Sequence, residues 1–235
     1  MTKQAKRGLK VFLFLLSMGS MGLAVKAGNP FHTSKGRTKG SKNFNDSTFA
    51  KPDLSFKHID TRYKAALERL KIQANALKSY LSTNNYNTEY CFLVDMSIPS
   101  GKKRFFIYNL KTDEVVESAL VTHGIGSKIK GSDENLQFSN DANSLQTSLG
   151  RYKIGSSYQG NFGLSYKLYG LDKTNSNAYD RSVVIHAHSS IPTTETYPIA
   201  IGESFGCPSV APSFLNTLTG YIKGSSKPVM MYIYN

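Results

Sequence analysis

The sequence predicts a mainly β domain preceded by one N-terminal helix. Three observations carry that class. Tyr63, Leu67, Leu70, Ala74, Leu77 and Leu81 recur at alternating spacings of four and three, which makes one apolar stripe along an α-helix. From Tyr90 onward the apolar period becomes two, the period of a strand. The period-two runs are short and are punctuated by turn sequences such as Pro99-Ser100-Gly101 and Lys111-Thr112-Asp113, which restart the chain in a new strand.

Taken in order, residues 1–27 read as a secretory signal. Lys3, Lys6, Arg7 and Lys10 form a basic front, Val11 to Val25 an apolar stretch, and Val25-Lys26-Ala27 a small-residue cleavage site before Gly28. The alternative is a retained anchor, but the apolar part is short and broken by Gly19 and Gly22. Export to the periplasm or the outside of the cell is therefore expected. Residues 28–57 are rich in Gly, Ser, Thr, Asn and Lys. Such a segment buries too little apolar surface to offset its ordering entropy, so a flexible basic tail is expected. Residues 58–88 hold the helix, read over 59–82, and a connector. Asp60 is the expected N-cap and Asn84-Asn85 the expected stop.

Residues 89–235 form the β domain. Strands are expected at Tyr90–Ser97, Arg104–Leu110 and Val115–His123. Residues 124–150 read as a long polar loop, and long loops in compact domains usually carry function. Further strands are expected at Arg151–Gly155, Gly163–Leu171 and Arg181–His186, a short helix at Pro212–Tyr221, and a closing strand at Val229–Tyr234.

Charge narrows the class of partner. The chain of 235 residues has a formal net charge of +13. Residues 1–57 hold eleven Lys/Arg against Asp46 and Asp53, a net of +9, which leaves +4 for the rest. The folded part is only mildly basic, which argues against nucleic acid as its partner. The basic tail suits weak electrostatic contact with anionic envelope polymers.

The chemistry concentrates in Val183–Val210. His186 ends the β-branched run Val183-Val184-Ile185, and Ser204-Phe205-Gly206-Cys207-Pro208 lies further on. A thiol attacks as its thiolate and needs a base to form it. Cys207 is the candidate nucleophile and His186 its base. The N–H groups of Gly206 and Cys207 are candidate donors to an oxyanion, whereas Pro208 has no N–H. No carboxylate lies near His186 in sequence. The carbonyls around Ala187 and the hydroxyls of Ser189 and Ser204 are the candidates for orienting it, and Ser204 is equally a turn residue. Cys91 sits in the apolar run YCFLV and reads as a buried, inert thiol. A Cys91–Cys207 disulfide is the alternative, and it would consume the nucleophile. A zinc site built from His186, His188, His123 and Cys207 is a competitor, though no HExxH-like motif accompanies it. A non-catalytic wall-binding module is another. No cofactor is expected.

These residues carry a resemblance. Strand-end His, loop, then Ser-x-Gly-Cys-Pro resembles the YkuD-type murein L,D-transpeptidase catalytic domains. Upstream, Val121-Thr122-His123-Gly124, Phe138-Ser139-Asn140, Ser148-Leu149-Gly150, Tyr158-Gln159-Gly160 and Arg181 follow in the family's order. Phe205 stands where the better-known members have His, and Ser209 where they have Arg or Asn. The resemblance implies a β-sandwich with short helices. It implies attack on a peptidoglycan stem tetrapeptide through a thioester at Cys207. Resolution by an amine would give a 3→3 cross-link, and by water an L,D-carboxypeptidase. It also implies that His123, Gly124, Ser139, Asn140, Ser148 and Arg181 line the substrate site, with Arg181 open either to a substrate carboxylate or to a structural pairing.

Overall fold

The computed structural model describes residues 54–235. The signal at 1–27 and most of the tail at 28–57 lie outside the described residues. The helix α1 spans Leu54–Thr83, so it starts before Asp60, and that residue is inside the helix rather than its N-cap. Its C-terminus matches expectation. Asn84 Nδ2 and N donate to the Tyr80 carbonyl, and Asn85 takes φ 60°, the left-handed turn that ends helices.

The strands are β1 (Tyr90–Asp95), β2 (Phe105–Asn109), β3 (Glu114–Ala119), β4 (Lys128–Ile129), β5 (Ser132–Leu136), β6 (Gly150–Gly160), β7 (Gly163–Gly170), β8 (Val184–Ala187) and β9 (Ser209–Val210). The helix α2 (Pro212–Gly224) and β10 (Met230–Tyr234) close the chain. Eight strands form one sheet in the order β3-β2-β1-β10-β6-β7-β8-β9, while β4 and β5 form a separate hairpin. The expected polar loop at 124–150 therefore contains that hairpin and a 3-10 turn at Ile125–Ser127. The mainly β class with a preceding helix stands as expected. The ends of the sheet approach each other, since Val121 just beyond β3 bridges Val210 in β9. The layers are thus parts of one curled sheet.

Two cores explain why β1 reads as a continuous apolar run. Phe92 and Val94 point into a core with Phe105, Ile107, Tyr166 and Phe214. Cys91 and Leu93 point the other way, against Leu70, Leu77 and Leu81 of α1. A strand buried on both faces loses its polar alternation. The apolar stripe of α1 is buried from Leu70 to Leu81, while Leu67 is part-exposed. The helix and the sheet belong to one compact unit. No described helix is long and apolar enough to cross a membrane.

Candidate active site

β8 and β9 run parallel with His186 opposite Ser209. That register sets the site. The loop that enters β9 therefore sets Cys207, two residues before Ser209, beside the start of β8, where the Val184 N–H faces the thiol. His186 is buried. Its Nδ1 lies 3.0 Å from the Ala187 carbonyl and its Nε2 lies 2.8 Å from Ser209 Oγ. A carbonyl only accepts, so Nδ1 carries the proton in the neutral ring and Nε2 accepts from the Ser209 hydroxyl. Burial pushes the His186 pKa down, the Ala187 carbonyl opposes this, and His188 adds to it. The imidazole is therefore neutral at pH 7. Phe162, at the tip of the β6–β7 hairpin, stacks on the ring at 4.3 Å.

Cys207 is half-buried and unpaired, as is the wholly buried Cys91; the two do not form a disulfide. Burial pushes the Cys207 thiol up, while the Val184 N–H and the Arg181 charge favour its thiolate. Cys207 Sγ lies 3.8 Å from the Ser182 carbonyl. Burial pushes the Cys91 thiol up to about 12, which suits an inert core thiol.

The loop before Cys207 is held by hydrogen bonds that sequence reasoning assigned elsewhere. Ser204 Oγ accepts from the Gly206 N–H and donates to the Cys207 carbonyl at 2.6 Å. Ser204 is thus the turn residue, and the Ala187 carbonyl orients His186. The Gly206 N–H, a candidate oxyanion donor, donates to Ser204 Oγ at 3.1 Å in this structure. Gly206 takes φ +116°, and a Cβ there would lie 2.8 Å from the Gln146 carbonyl. It serves the turn and a close approach of backbone.

Several residues expected to line the substrate site are committed within the fold. His123 is fully buried. Arg104 NH2 lies 2.9 Å from its Nδ1, and its Nε2 lies 3.2 Å from Asp133 Oδ1 without hydrogen-bond alignment. Gly124 is buried, and a Cβ there would lie 2.1 Å from the Leu145 carbonyl. Ser148 is buried with Oγ 2.8 Å from the Tyr152 hydroxyl. Asn140 ties to Lys173, Ser176 and Asn177, and Ser139 to Asp141. His123, Gly124 and Ser148 are thus buried, while Ser139 and Asn140 are part-buried with their side chains hydrogen-bonded within the fold. Arg181 donates to the Ser139 carbonyl at 2.8 Å and to the Gln146 carbonyl at 2.6 Å. Both terminal nitrogens are thus engaged by backbone carbonyls, and the Arg181 charge favours the Cys207 thiolate.

The four donors of the zinc alternative are not brought together. His123 belongs to the Arg104 network, and His188 Nδ1 pairs with Ser190 Oγ at 2.7 Å. Among the described residues no group of three His, Cys, Asp or Glu is arranged to hold a metal ion. A cleft of about 820 Å³ lies between α1 and the β1–β2 turn and includes neither Cys207 nor His186.

Three residues of the site were missed. Thr122 Oγ1 donates to the Cys207 carbonyl and accepts from the Ser209 N–H, clamping both sides of the nucleophile. Ser209 and Phe162 contact His186 directly. Ser209 carries no periodic signal, because Cys207 precedes β9 and that strand has only two residues. Phe162 comes from a distant segment with no local signal, and Thr122 falls within the Val121-Thr122-His123-Gly124 motif, where nothing local marks its contact with Cys207.

The His123 network gives a stability prediction. Burial first, then the Arg104 charge, hold the His123 pKa down at about 4, with Asp133 opposing. A base with a depressed folded pKa contributes stability fully above its unfolded value of about 6.5, and that stability is lost as pH falls toward 4. Denaturant titrations at pH 7 and pH 4.5 should show the wild type losing more stability than His123→Gln, by up to about 3 kcal/mol. Equal losses would remove His123 from the acid response.

A family model described as L,D-transpeptidase catalytic domain matches residues 63–234. No curated protein matches the chain in sequence. Among solved structures, an L,D-transpeptidase from Xylanimonas cellulosilytica is 16% identical, with 62% of this chain and 60% of that chain covered and a TM-score of 0.36. The helical cell shape determining protein Pgp2 from Campylobacter jejuni is 12% identical, covering 64% and 50%, with a TM-score of 0.41. An L,D-transpeptidase from Enterococcus faecium is 13% identical, covering 62% and 50%, with a TM-score of 0.36. The chain thus spans between half and three fifths of the length of these structures.

Proposed function

Because the chain belongs to the L,D-transpeptidase catalytic domain family over residues 63–234, we propose that it performs cysteine-dependent acyl transfer on peptidoglycan stem peptides. The observation that carries this reading is the hydrogen bond from His186 Nδ1 to the Ala187 carbonyl. With the proton on Nδ1, Nε2 is unprotonated and basic and accepts from Ser209, on a strand beside the loop of a thiol that needs deprotonation.

At rest, burial keeps the thiol protonated and the imidazole neutral. Ser209 gives its hydroxyl proton to His186 Nε2 and takes the proton of Cys207 Sγ in its place, so the thiol is deprotonated by the imidazole through the hydroxyl. The thiolate, stabilised by Arg181 and the Val184 N–H, attacks the carbonyl between the third residue of the stem tetrapeptide and its terminal D-alanine. The Cys207 N–H makes no hydrogen bond to the described residues and supplies an oxyanion donor. The C–N bond breaks, His186 gives its proton to the departing amine of D-alanine, and a thioester remains. A side-chain amine of a neighbouring stem resolves it to a 3→3 cross-link. Water in place of the amine makes the same site an L,D-carboxypeptidase.

Incubating the full chain with a disaccharide-tetrapeptide and separating the products tests this reading. Cross-linked dimers mean transpeptidase, and trimmed tripeptides alone mean carboxypeptidase. Neither product from folded protein would overturn it. Export through residues 1–27 and attraction of the basic tail to anionic envelope polymers belong to the same reading. The sequencing result expected for secreted protein is a mature N-terminus at Gly28, and a start at Met1 would contradict cleavage.

Ser209→Ala is expected to slow thioester formation about tenfold, the worth of one buried hydrogen bond in the transition state. It should also move the lower limb of the pH profile, because Nε2 loses its donor, and Ser209→Thr should restore most of both. An accelerated Ser209→Ala enzyme would mean that the hydroxyl only blocks the base.

A further inference from the structure

Beyond the catalytic residues, the outer face of β6 and β7 carries a continuous strip of tyrosines and lysines. Tyr152, Ile154, Tyr166 and Leu168 point into the core, so Lys153, Lys167 and Tyr169 point outward. Lys153 and Tyr169 are direct cross-strand partners. The Tyr169 ring stacks on Tyr179 at 5.1 Å with 11° between planes. Lys153 Nζ lies 4.9 Å from the Tyr169 ring, and Lys167 Nζ lies 5.5 Å from Tyr179 and 5.9 Å from Tyr158.

The backbone is cut away to seat these rings. A Cβ at Gly155 would lie 2.4 Å from Tyr169 Cε2, and one at Gly160 would lie 2.9 Å from Tyr158 Cε2. Only glycine lets the two rings lie against the strand. Tyr158 and Tyr179 nevertheless remain 40% and 50% exposed, so ring surface stays open to a partner. The cover of α1 reaches only as far as Tyr80, which stacks on Arg151 at 4.1 Å. Asp172 is spent on Arg151, and the exposed Asp180 follows Tyr179 in sequence. Among the described residues neither Lys153 nor Lys167 has a carboxylate partner.

The strip runs into the active site at two points. Phe162, on the tip of the same hairpin, covers His186. Tyr179 stands two residues before Arg181, and the Ser182 carbonyl touches Cys207 Sγ.

We propose that this strip binds the anionic glycan–peptide strand that carries the scissile stem, and so holds the insoluble polymer while one stem enters the site. The inference rests on the function proposed above. Tyrosine faces are electron-rich and flat, and they suit the C–H faces of sugar rings. The two ammonium groups suit the carboxylates of neighbouring stems. Single-stranded nucleic acid also uses aromatic and basic grooves, but the net charge of the chain beyond residue 57 is only +4, and the strip leads to an acyl-transfer site.

The test compares full-length Cys207→Ala protein with the same protein also carrying Tyr158→Ser and Tyr179→Ser. Cosedimentation with purified insoluble peptidoglycan is measured at several salt concentrations. The strip variant should bind about tenfold more weakly, and Lys167→Gln, which removes no ring, should lower the salt-sensitive part. In the active background, turnover of a soluble disaccharide-tetrapeptide should be unchanged by all three substitutions, which also verifies folding. Equal sedimentation of parent and variants would overturn the proposal. So would a loss of oligothymidylate binding in the variants with peptidoglycan binding intact. Strip-dependent sedimentation by a chain that turns over no stem peptide would support the strip while refuting the proposed reaction.

Discussion

Cys207→Ala is expected to abolish turnover, while Cys91→Ala retains most of the activity per folded molecule. The two thiols differ by environment alone. Cys91 is fully buried in the core under α1, and its thiol is pushed up to about 12. It stays protonated and unreachable. Cys207 is half-buried in a loop whose carbonyl is held by Thr122 and Ser204, with Arg181 and the Val184 N–H favouring its thiolate. Removing a covalent nucleophile costs on the order of 10⁴-fold or more, because the remaining groups have nothing to activate. Product formation by both variants, normalised to folded protein, is the measurement. Equal loss in the two, with both folded, would contradict a single nucleophile.

Arg104→Ala is expected to give the largest loss of folding stability, roughly 3–5 kcal/mol, the cost of breaking a buried charged network. Arg104 is wholly buried. Its Nε and NH2 donate to the Val121 carbonyl at 3.1 and 3.0 Å, and NH1 donates to the Ile98 carbonyl at 3.0 Å. Burial pulls its pKa down to about 10, with Asp133 and Asp95 opposing, so it remains charged at pH 7. Truncation leaves those carbonyls and His123 Nδ1 unpaired around a cavity. The effect should reach the active site. The His123 carbonyl accepts from the Ser204 N–H, and Ser204 holds the Cys207 carbonyl. Urea titration of the variant at pH 7 checks the claim, and a change within about 0.5 kcal/mol would show that the network is not needed for stability.

The sequence made the class of fold legible because two periods survive in it. The stripe of α1 and the alternation at the start of β6 each record one buried face. What stayed hidden involved pairing rather than period. β9 has two residues, too few for any periodic signal, yet it sets the His186–Ser209 register. The β4–β5 hairpin lies in a polar stretch, so it read as loop. At the site, the proposed nucleophile and base stood out as candidates because a thiol beside Ser, Gly and Pro follows a strand-end His. The hydrogen-bond partners of the supporting residues stayed hidden for one physical reason. Motif order says that a residue stands near the site, but not whether its polar atoms face solvent or backbone. His123, Gly124, Ser148 and Asn140 stand near the site and build its frame. Ser204 likewise supports the loop and not the imidazole.

The most direct measurement is intact-protein mass spectrometry of the full chain mixed with a disaccharide-tetrapeptide and quenched in acid. The account predicts a mass increase equal to the stem lacking its terminal D-alanine, carried on the peptide containing Cys207, released by hydroxylamine and absent from Cys207→Ala. An unmodified mass throughout turnover, or an adduct that persists in Cys207→Ala, would contradict the thioester.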